Sequence, residues 1–400
     1  MSFDVSAVRT GFPALAAGTA YFDGPGGSQT PQVVADAIAG ALRAPLSNRG
    51  TVTRAERNAD DIVHAARAAV ADLLGADPRG IVFGRSMTQL TFDIARTLAG
   101  GWTAGDEVLV SRLDHDANVR PWVIWAERAG ATVRWIDFDP ESGELAVEHV
   151  TAQLSERTRL VAVTGASNLI GTRPDLAAIA EAVHRAGALL YVDGVHLAAH
   201  ASVDVAALGV DFFACSPYKF FGPHLGALAA SPELLEQLHP DKLLPSTDAV
   251  PERFELGTLP YELLAGTTAA VDFLAGLGGS SAGSRRERLL ASMAAVEEYE
   301  DGLRQRIETG LAELGPVTLH SRARHRTPTL LATFAGRSAA DAYRFLAELD
   351  VNAPAGSFYA YEPARRIGLP DGGGLRIGLA PYNDDSDAAR LLEGLAKFLG

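Results

Sequence analysis

The stretch FFACSPYKFFGPH, residues 212–224, decides the reading of this chain. An apolar, strand-like run enters a Ser-Pro-Tyr-Lys turn and leaves through two phenylalanines to Gly222 and Pro223. A lysine among apolar groups carries its ammonium out to solvent along its stem, finds a partner, loses its proton, or reacts. Lys219 follows a strand pattern and precedes a Gly-Pro turn, which places it where an α/β sheet opens its cleft. A desolvated lysine there can form a Schiff base with an aldehyde cofactor.

Six further runs read as strands beside DFFAC (211–215). They are GIVFG (80–84), EVLVS (107–111), ATVRWI (131–136), RLVAVT (159–164), ALLYVD (188–193) and LGALAA (225–230). Several are apolar on both faces and alternate with helical patterns such as TFDIARTLAG and DLAAIAEAVHRAG. This predicts an α/β fold, with a mostly parallel seven-stranded sheet covered by helices and sites at the carboxyl ends of strands. GLGGSSAGS (276–284) reads as a linker between a large domain, 21–275, and a smaller α+β domain, 285–400. Residues 1–20 are expected to pack near the smaller domain.

At 400 residues the chain exceeds one ordinary core, and 47% apolar with 21% charged residues is globular composition. A net charge of −14 without a basic run argues against nucleic acid or an anionic membrane as partner. One cysteine allows no intrachain disulfide. The start MSFDVSAVRTGFPAL lacks the basic and apolar regions of a secretory signal, and no apolar run reaches spanning length, so a soluble cytoplasmic protein is expected.

Other candidates sit at strand ends. Asp193 closes ALLYVD; it either caps the next turn or, under a pyridine ring, keeps the ring nitrogen protonated. In GRSMTQLTF, Ser86 and Thr88 cap a helix, hold a phosphate together with free backbone N–H groups at its positive end, or do both. His115 follows EVLVS and is structural or stacks flat on a cofactor ring. Asn168 in GASNLIG and His196 in VDGVH either bond a ring hydroxyl or satisfy loop backbone. Arg376 in LRIGLAPY points outward from a strand or clamps a substrate carboxylate. No metal-ligating pattern is read. DGPGGSQTP does not complete G-x-G-x-x-G, because Gln29 replaces the third glycine and Pro31 interrupts the turn, which disfavours a dinucleotide binder. A regulator without chemistry is disfavoured too, since no length or basic segment is spare for DNA binding.

In order, YFDGPGGSQTP, NRGT, FGRSMTQL, DHDANVRPW, SNLIGT, YVDGVH, CSPYKFFGP, RFELGT and LRIGLAPYN resemble the class V aminotransferase and cysteine desulfurase group of fold-type I pyridoxal phosphate enzymes. The resemblance implies a pyridoxal 5'-phosphate cofactor, an amino-acid substrate and a homodimer. It implies Lys219 as covalent anchor and proton carrier at the substrate α and β carbons, Asp193 on the pyridine nitrogen, and His115 on the ring face. Asn168 would contact the ring hydroxyl side and the substrate. Met87, Thr88 and Ser216 would hold the phosphate, and Arg376 the substrate carboxylate. Gly257 and Thr258 would complete the neighbouring subunit's phosphate site.

The departures bear on chemistry. Desulfurases of this group attack sulfur with a mobile-loop cysteine, and the corresponding NAPAGSFYAYEPARR (352–366) has none. Cys215 closes a buried strand, the usual place of a packing residue. Tyr218 stands where desulfurases usually have His, and His196 replaces the Gln common in desulfurases and looks more like the epimerase branch. The favoured reading is a lyase that abstracts the α-proton and eliminates a β-substituent, with transamination or epimerisation as alternatives because Lys219 is the shared acid/base. Phe358, Tyr359, Tyr361, Arg365 and Arg366 suit a larger or anionic substrate group, with Tyr359 the one expected to touch it.

Overall fold

The computed structural model describes residues 3–279 and 281–400. Met1 and Ser2 of the N-terminal segment and Ser280 of the expected linker lie outside the described residues. The strands of the first two thirds are β1 (Ala20–Tyr21), β2 (Ile81–Gly84), β3 (Glu107–Ser111), β4 (Thr132–Ile136), β5 (Thr158–Thr164), β6 (Leu189–Asp193), β7 (Phe212–Cys215) and β8 (Gly226–Ala230). All but β1 form one seven-stranded sheet in the order β2-β8-β7-β6-β5-β3-β4. β8 runs antiparallel to both neighbours, and the remaining pairs are parallel. The sheet is the mostly parallel one expected from the seven apolar runs.

The inner runs are continuous because both faces are covered, whereas the edge strand β4 is exposed at Thr132 and fully buried only at Ile136. Val161, Val163, Leu190, Val192 and Phe213 enter one core with Val63, Val70, Ile179, Val183, Val271 and Leu274 from the helices Arg54–Leu74, Leu176–Arg185 and Tyr261–Gly276. Their sequence neighbours Leu160, Ala162, Tyr191, Phe212 and Ala214 enter the other, with Leu90, Ile94, Trp122 and Val123 from the helices Met87–Ala99 and Arg120–Ala129. Full burial of such side chains stabilises by about 1.5–3 kcal/mol each. The helix expected from Thr91 onward starts four residues earlier. The Ser86 hydroxyl accepts from the Gln89 N–H at 3.1 Å and caps it, so a polar first turn precedes the apolar face.

A second sheet is built from β9 (Val317–Leu319), β10 (Thr329–Phe334), β12 (Ala355–Gly356) and β13 (Gly374–Gly378), in the order β12-β13-β10-β9 and all antiparallel. Between them β11 (Val351–Asn352) pairs in parallel with β1. Ala20 and Phe22 thereby join the core of the second sheet, with Leu303, Ile307, Leu330, Ile377 and Leu391. Arg9 bonds the Tyr382 carbonyl at 2.6 Å and Asp387 at 2.8 Å, which fastens the N-terminal segment to the C-terminal helix. The helix Arg285–Glu313, opened by a Ser284–Glu287 capping box, puts Leu289, Met293 and Val296 in the first core and Leu303, Ile307 and Leu311 in the last. We propose 276–284 as the boundary between the two units, with this helix locking one against the other.

Candidate active site

A cavity of about 620 Å³ opens where β5, β6 and β7 end, lined by Thr164, Asp193 and Ser216. Lys219 enters it from the turn Pro217–Lys219. Its Nζ donates to the Pro25 carbonyl and lies 4.8 Å from the Tyr218 ring centroid. Burial lowers the amine from 10.5 to about 7; Arg376 adds to this, while Asp23 and Asp193 oppose it. Tyr218 is itself stacked on His224, 4.8 Å between centroids and 14° apart.

Asp193, 5% exposed, accepts the Val195 N–H on Oδ1 at 3.0 Å. Burial pushes its carboxyl up to about 7, against the pull of that N–H and of Lys219. A carboxylate so placed calls for a cation. The following Gly194 allows the close approach, since a Cβ there would lie 2.0 Å from the Phe213 ring.

His115 follows β3 on a loop fixed from below. Buried Asp114 accepts from Asn118 Nδ2 at 2.7 Å, from the Thr164 N–H at 2.9 Å and from the Ser111 hydroxyl. His115 Nδ1 accepts from the Ala117 N–H at 3.0 Å, which assigns the ring proton to Nε2. Burial, then Lys219, lower this imidazole to about 4, so it is neutral and presents a flat ring. The Tyr359 ring lies 5.6 Å away, centroid to centroid.

At the other end lies the start of helix Met87–Ala99, whose first N–H groups have no intrahelical partner. Met87 and Thr88 line the cavity. The Ser86 hydroxyl is committed to the cap. β8 presses directly on this turn: a Cβ on Gly226 would come within 2.3 Å of Ser86 C and 2.5 Å of Met87 N.

The small sheet closes the cavity. Arg376, on β13, is 2% exposed rather than turned outward. Its Nη2 bonds Asp23 at 2.6 Å, its Nη1 donates to the Asn168 carbonyl at 3.1 Å, and Phe358 covers its face at 3.7 Å. Asn168 Nδ2 holds the Phe358 carbonyl at 2.9 Å. His196 Nε2 meets the hydroxyls of Thr329 and Thr327 at 2.8 and 2.9 Å. Among the described residues, Asn168 Oδ1, His196 Nδ1 and Arg376 Nε are left buried without a partner.

The family model "Aminotransferase class-V" matches residues 20–391. The chain belongs to the class V aminotransferase family. It is 34% identical to the uncharacterized protein MT3887 of Mycobacterium tuberculosis, covering 99% of each chain. It is 32% identical to a probable cysteine desulfurase of Pseudomonas aeruginosa, over 98% of this chain and 97% of that one. Among solved structures, the cysteine desulfurase CsdA of Escherichia coli, in an S-sulfonic acid form, superimposes with a TM-score of 0.87 at 28% identity, covering 99% and 98%.

Class V aminotransferases use pyridoxal 5'-phosphate, and the cavity has the matching chemistry. A buried amine of lowered basicity suits an aldehyde, a buried carboxylate suits a pyridinium, and a neutral imidazole suits a ring face. Open helix N–H groups suit a phosphate, and three orphaned polar atoms belong to residues of the wall.

Of the residues singled out in the sequence, the structure brings Met87, Thr88, His115, Asn168, Asp193, His196, Ser216, Lys219, Tyr359 and Arg376 to one cavity. Gly257 and Thr258 are exposed and lie outside it. The loop arginines need correction as candidates for a substrate group. Arg366 pairs with Asp137 at 2.6 Å, Arg365 lies over Tyr361, and none of the three lines the cavity. Asp23, Pro25, Phe92 and Arg120 were not anticipated. The first two come from DGPGGSQTP, whose glycines serve a tight turn from β1 toward the lysine segment: a Cβ on Gly24 would meet the Leu379 carbonyl at 2.3 Å. Only the mixed polar and glycine composition of that segment hinted at it.

Proposed function

We propose that this chain is a pyridoxal phosphate-dependent β-lyase, which removes the α-proton of an amino acid and expels the β-substituent. One observation carries the reading: a buried, near-neutral amine at Lys219 shares its cavity with the carboxylate of Asp193 and the guanidinium of Arg376, and no thiol lines that cavity. The one cysteine, Cys215, closes β7 fully buried, and burial pushes its thiol up to about 12. A route that attacks sulfur with a cysteine therefore has no nucleophile in reach, whereas elimination needs none.

When bound, pyridoxal phosphate supplies an electron sink for negative charge at the substrate α-carbon. Lys219 would anchor it and, as a free amine, take the α-proton; near neutral pH a large share of such amines is unprotonated. Asp193 would hold the pyridine nitrogen as a cation, and His115 would cover the ring without adding charge. The N–H groups at Met87 and Thr88, with Ser216, would take the phosphate. Arg376 would take the α-carboxylate, with Phe358 excluding water from one face of the guanidinium. The Cβ–X bond breaks with its electron pair leaving on X, and the remaining fragment hydrolyses to a 2-oxo acid and ammonia.

A homodimer agrees with this reading. Gly257 and Thr258 are exposed beside Leu256, 52% exposed, on a segment that also shows Leu244 at 96%. In the proposed assembly they reach the phosphate end of the partner's cavity, and the apolar side chains are covered.

Lys219→Ala tests the assignment. The purified wild type should absorb in the visible, and the variant should lose that covalent chromophore. The variant should also lose exchange of the substrate α-hydrogen in D2O by about 10²–10⁴-fold, the usual contribution of a general base. Undiminished exchange would place the base elsewhere.

A further inference from the structure

The cavity holds a second arginine that the reaction above leaves without a task. Arg120 opens the helix Arg120–Ala129 and lines the wall with Phe92, Asp116 and Tyr359. We propose that Arg120 is a specificity-determining residue that receives an anionic group on the substrate side chain, so that the preferred substrates are amino acids whose β-substituent ends in a carboxylate or comparable oxyanion. This rests on the lyase reading for the reaction, though not for the binding.

Two observations carry the assignment. First, the guanidinium is oriented but not consumed. Nη2 bonds Asp116 Oδ1 at 3.0 Å and Nε reaches Oδ2 at 3.5 Å, while Nη1 makes no hydrogen bond among the described residues. With the side chain 40% exposed, an open edge remains for a bidentate or single-point anion. Second, the support is rigid. The Asp116 N–H donates to the Tyr359 carbonyl at 2.8 Å, and the Phe358 carbonyl is held by Asn168. Phe358 and Tyr359 have φ of +54° and +57°, a conformation that bulky L-residues keep only where neighbours enforce it. The same loop thus covers Arg376 with Phe358 and is tied to the backbone that carries Arg120's partner. Arg376 would hold the α-carboxylate and Arg120 the distal anion. Arg112 is committed to Glu362 at 2.6 Å, and Arg365 and Arg366 are engaged outside the cavity.

The test compares two nearly isosteric substrates, S-carboxymethylcysteine and its carboxamide analogue, in wild type, Arg120→Gln and Arg120→Lys. In each, the α-proton goes to Lys219 and the C–S pair leaves with the thiolate. The wild type should favour the carboxylate in kcat/KM by roughly 10- to 100-fold, the range of one charge-assisted contact. Arg120→Gln should bring the ratio near one through KM, and Arg120→Lys should restore part of it. Calorimetry with glutarate and its monoamide on the cofactor-loaded protein gives the same comparison without turnover. If that preference disappears in Arg120→Gln while neither conjugate yields pyruvate, the anion site stands and the lyase reading falls. A wild type without preference, or an Arg120→Gln protein that keeps it, overturns the proposal. Loss of cofactor retention in Arg120→Gln with the preference intact overturns it too, by assigning Arg120 to the cofactor.

Discussion

Replacing Asp193 with asparagine should stabilise the cofactor-free protein and disable the loaded one. The carboxylate is 5% exposed, and its Oδ1 accepts one N–H that an amide oxygen accepts equally well, so the substitution removes charge and keeps shape. Burial moves its pKa from 3.8 to about 7. At ~1.36 kcal/mol per pH unit, holding the charge there costs about 4 kcal/mol. The direction follows from proton counts. The folded carboxyl has the higher pKa, so between 3.8 and about 7 the folded state binds more protons than the unfolded one. Stability therefore falls as pH rises through that window, and the cost is complete above about pH 7. The gain from Asp193→Asn should grow by about 2 kcal/mol between pH 5.5 and pH 8, most of it before pH 7. Attraction between Asp193 and Lys219 offsets part of the absolute gain, because the variant leaves the amine without that partner. Urea midpoints of cofactor-stripped wild type and variant at the two pH values measure this directly. The loaded variant should meanwhile lose turnover, since a neutral amide does not hold the ring nitrogen as a cation. A variant that is less stable than wild type at pH 8, or whose gain does not change with pH, would refute the argument that Asp193 is kept buried for a cation.

Cys215→Ser should keep product formation within a few-fold of wild type and cost about 1–3 kcal/mol of stability, the penalty for a hydroxyl in an apolar core; loss of activity in a folded, loaded protein would restore a thiol route. Gly226→Ala should destabilise by about 1–3 kcal/mol and weaken cofactor retention, because its Cβ would displace the turn at Ser86 and Met87. Denaturation midpoint and visible absorbance report the two effects separately, and an unchanged pair of values would show that β8 does not support the phosphate end.

Most of the seven runs were legible because their strands are buried on both faces, which leaves a nearly continuous apolar signature; the edge strand β4, with Thr132 exposed, was legible from its β-branched and aromatic residues instead. Lys219, Asp193 and His115 were legible because they stand at or just past the ends of such runs. What escaped was set by long-range packing. Asp23 reaches Arg376 only because β1 pairs with β11, more than 300 residues away, and two-residue strands leave no periodicity to read. Arg120 carries no distinguishing signal in the sequence; it lines the cavity with its guanidinium held by Asp116. Arg365 and Arg366 misled for the converse reason: proximity in sequence to a substrate loop says nothing of which way a helix turns them, and Asp137 and Tyr361 capture them first. His196 was expected to bond a ring hydroxyl or to satisfy loop backbone; its Nε2 meets the side chains of two threonines instead, and among the described residues Nδ1 has no partner.

Elimination without a cysteine nucleophile leaves its mark in the identity of the products. Purified, cofactor-loaded enzyme is incubated with cysteine, its S-conjugates and its sulfoxides, and the products are resolved by mass spectrometry. Pyruvate and ammonia in equal amounts, with the sulfur fragment released intact, are the predicted result. Alanine with sulfur left on the protein would contradict it, and a 2-oxo acid retaining its side chain beside an aminated cofactor would replace elimination with transamination.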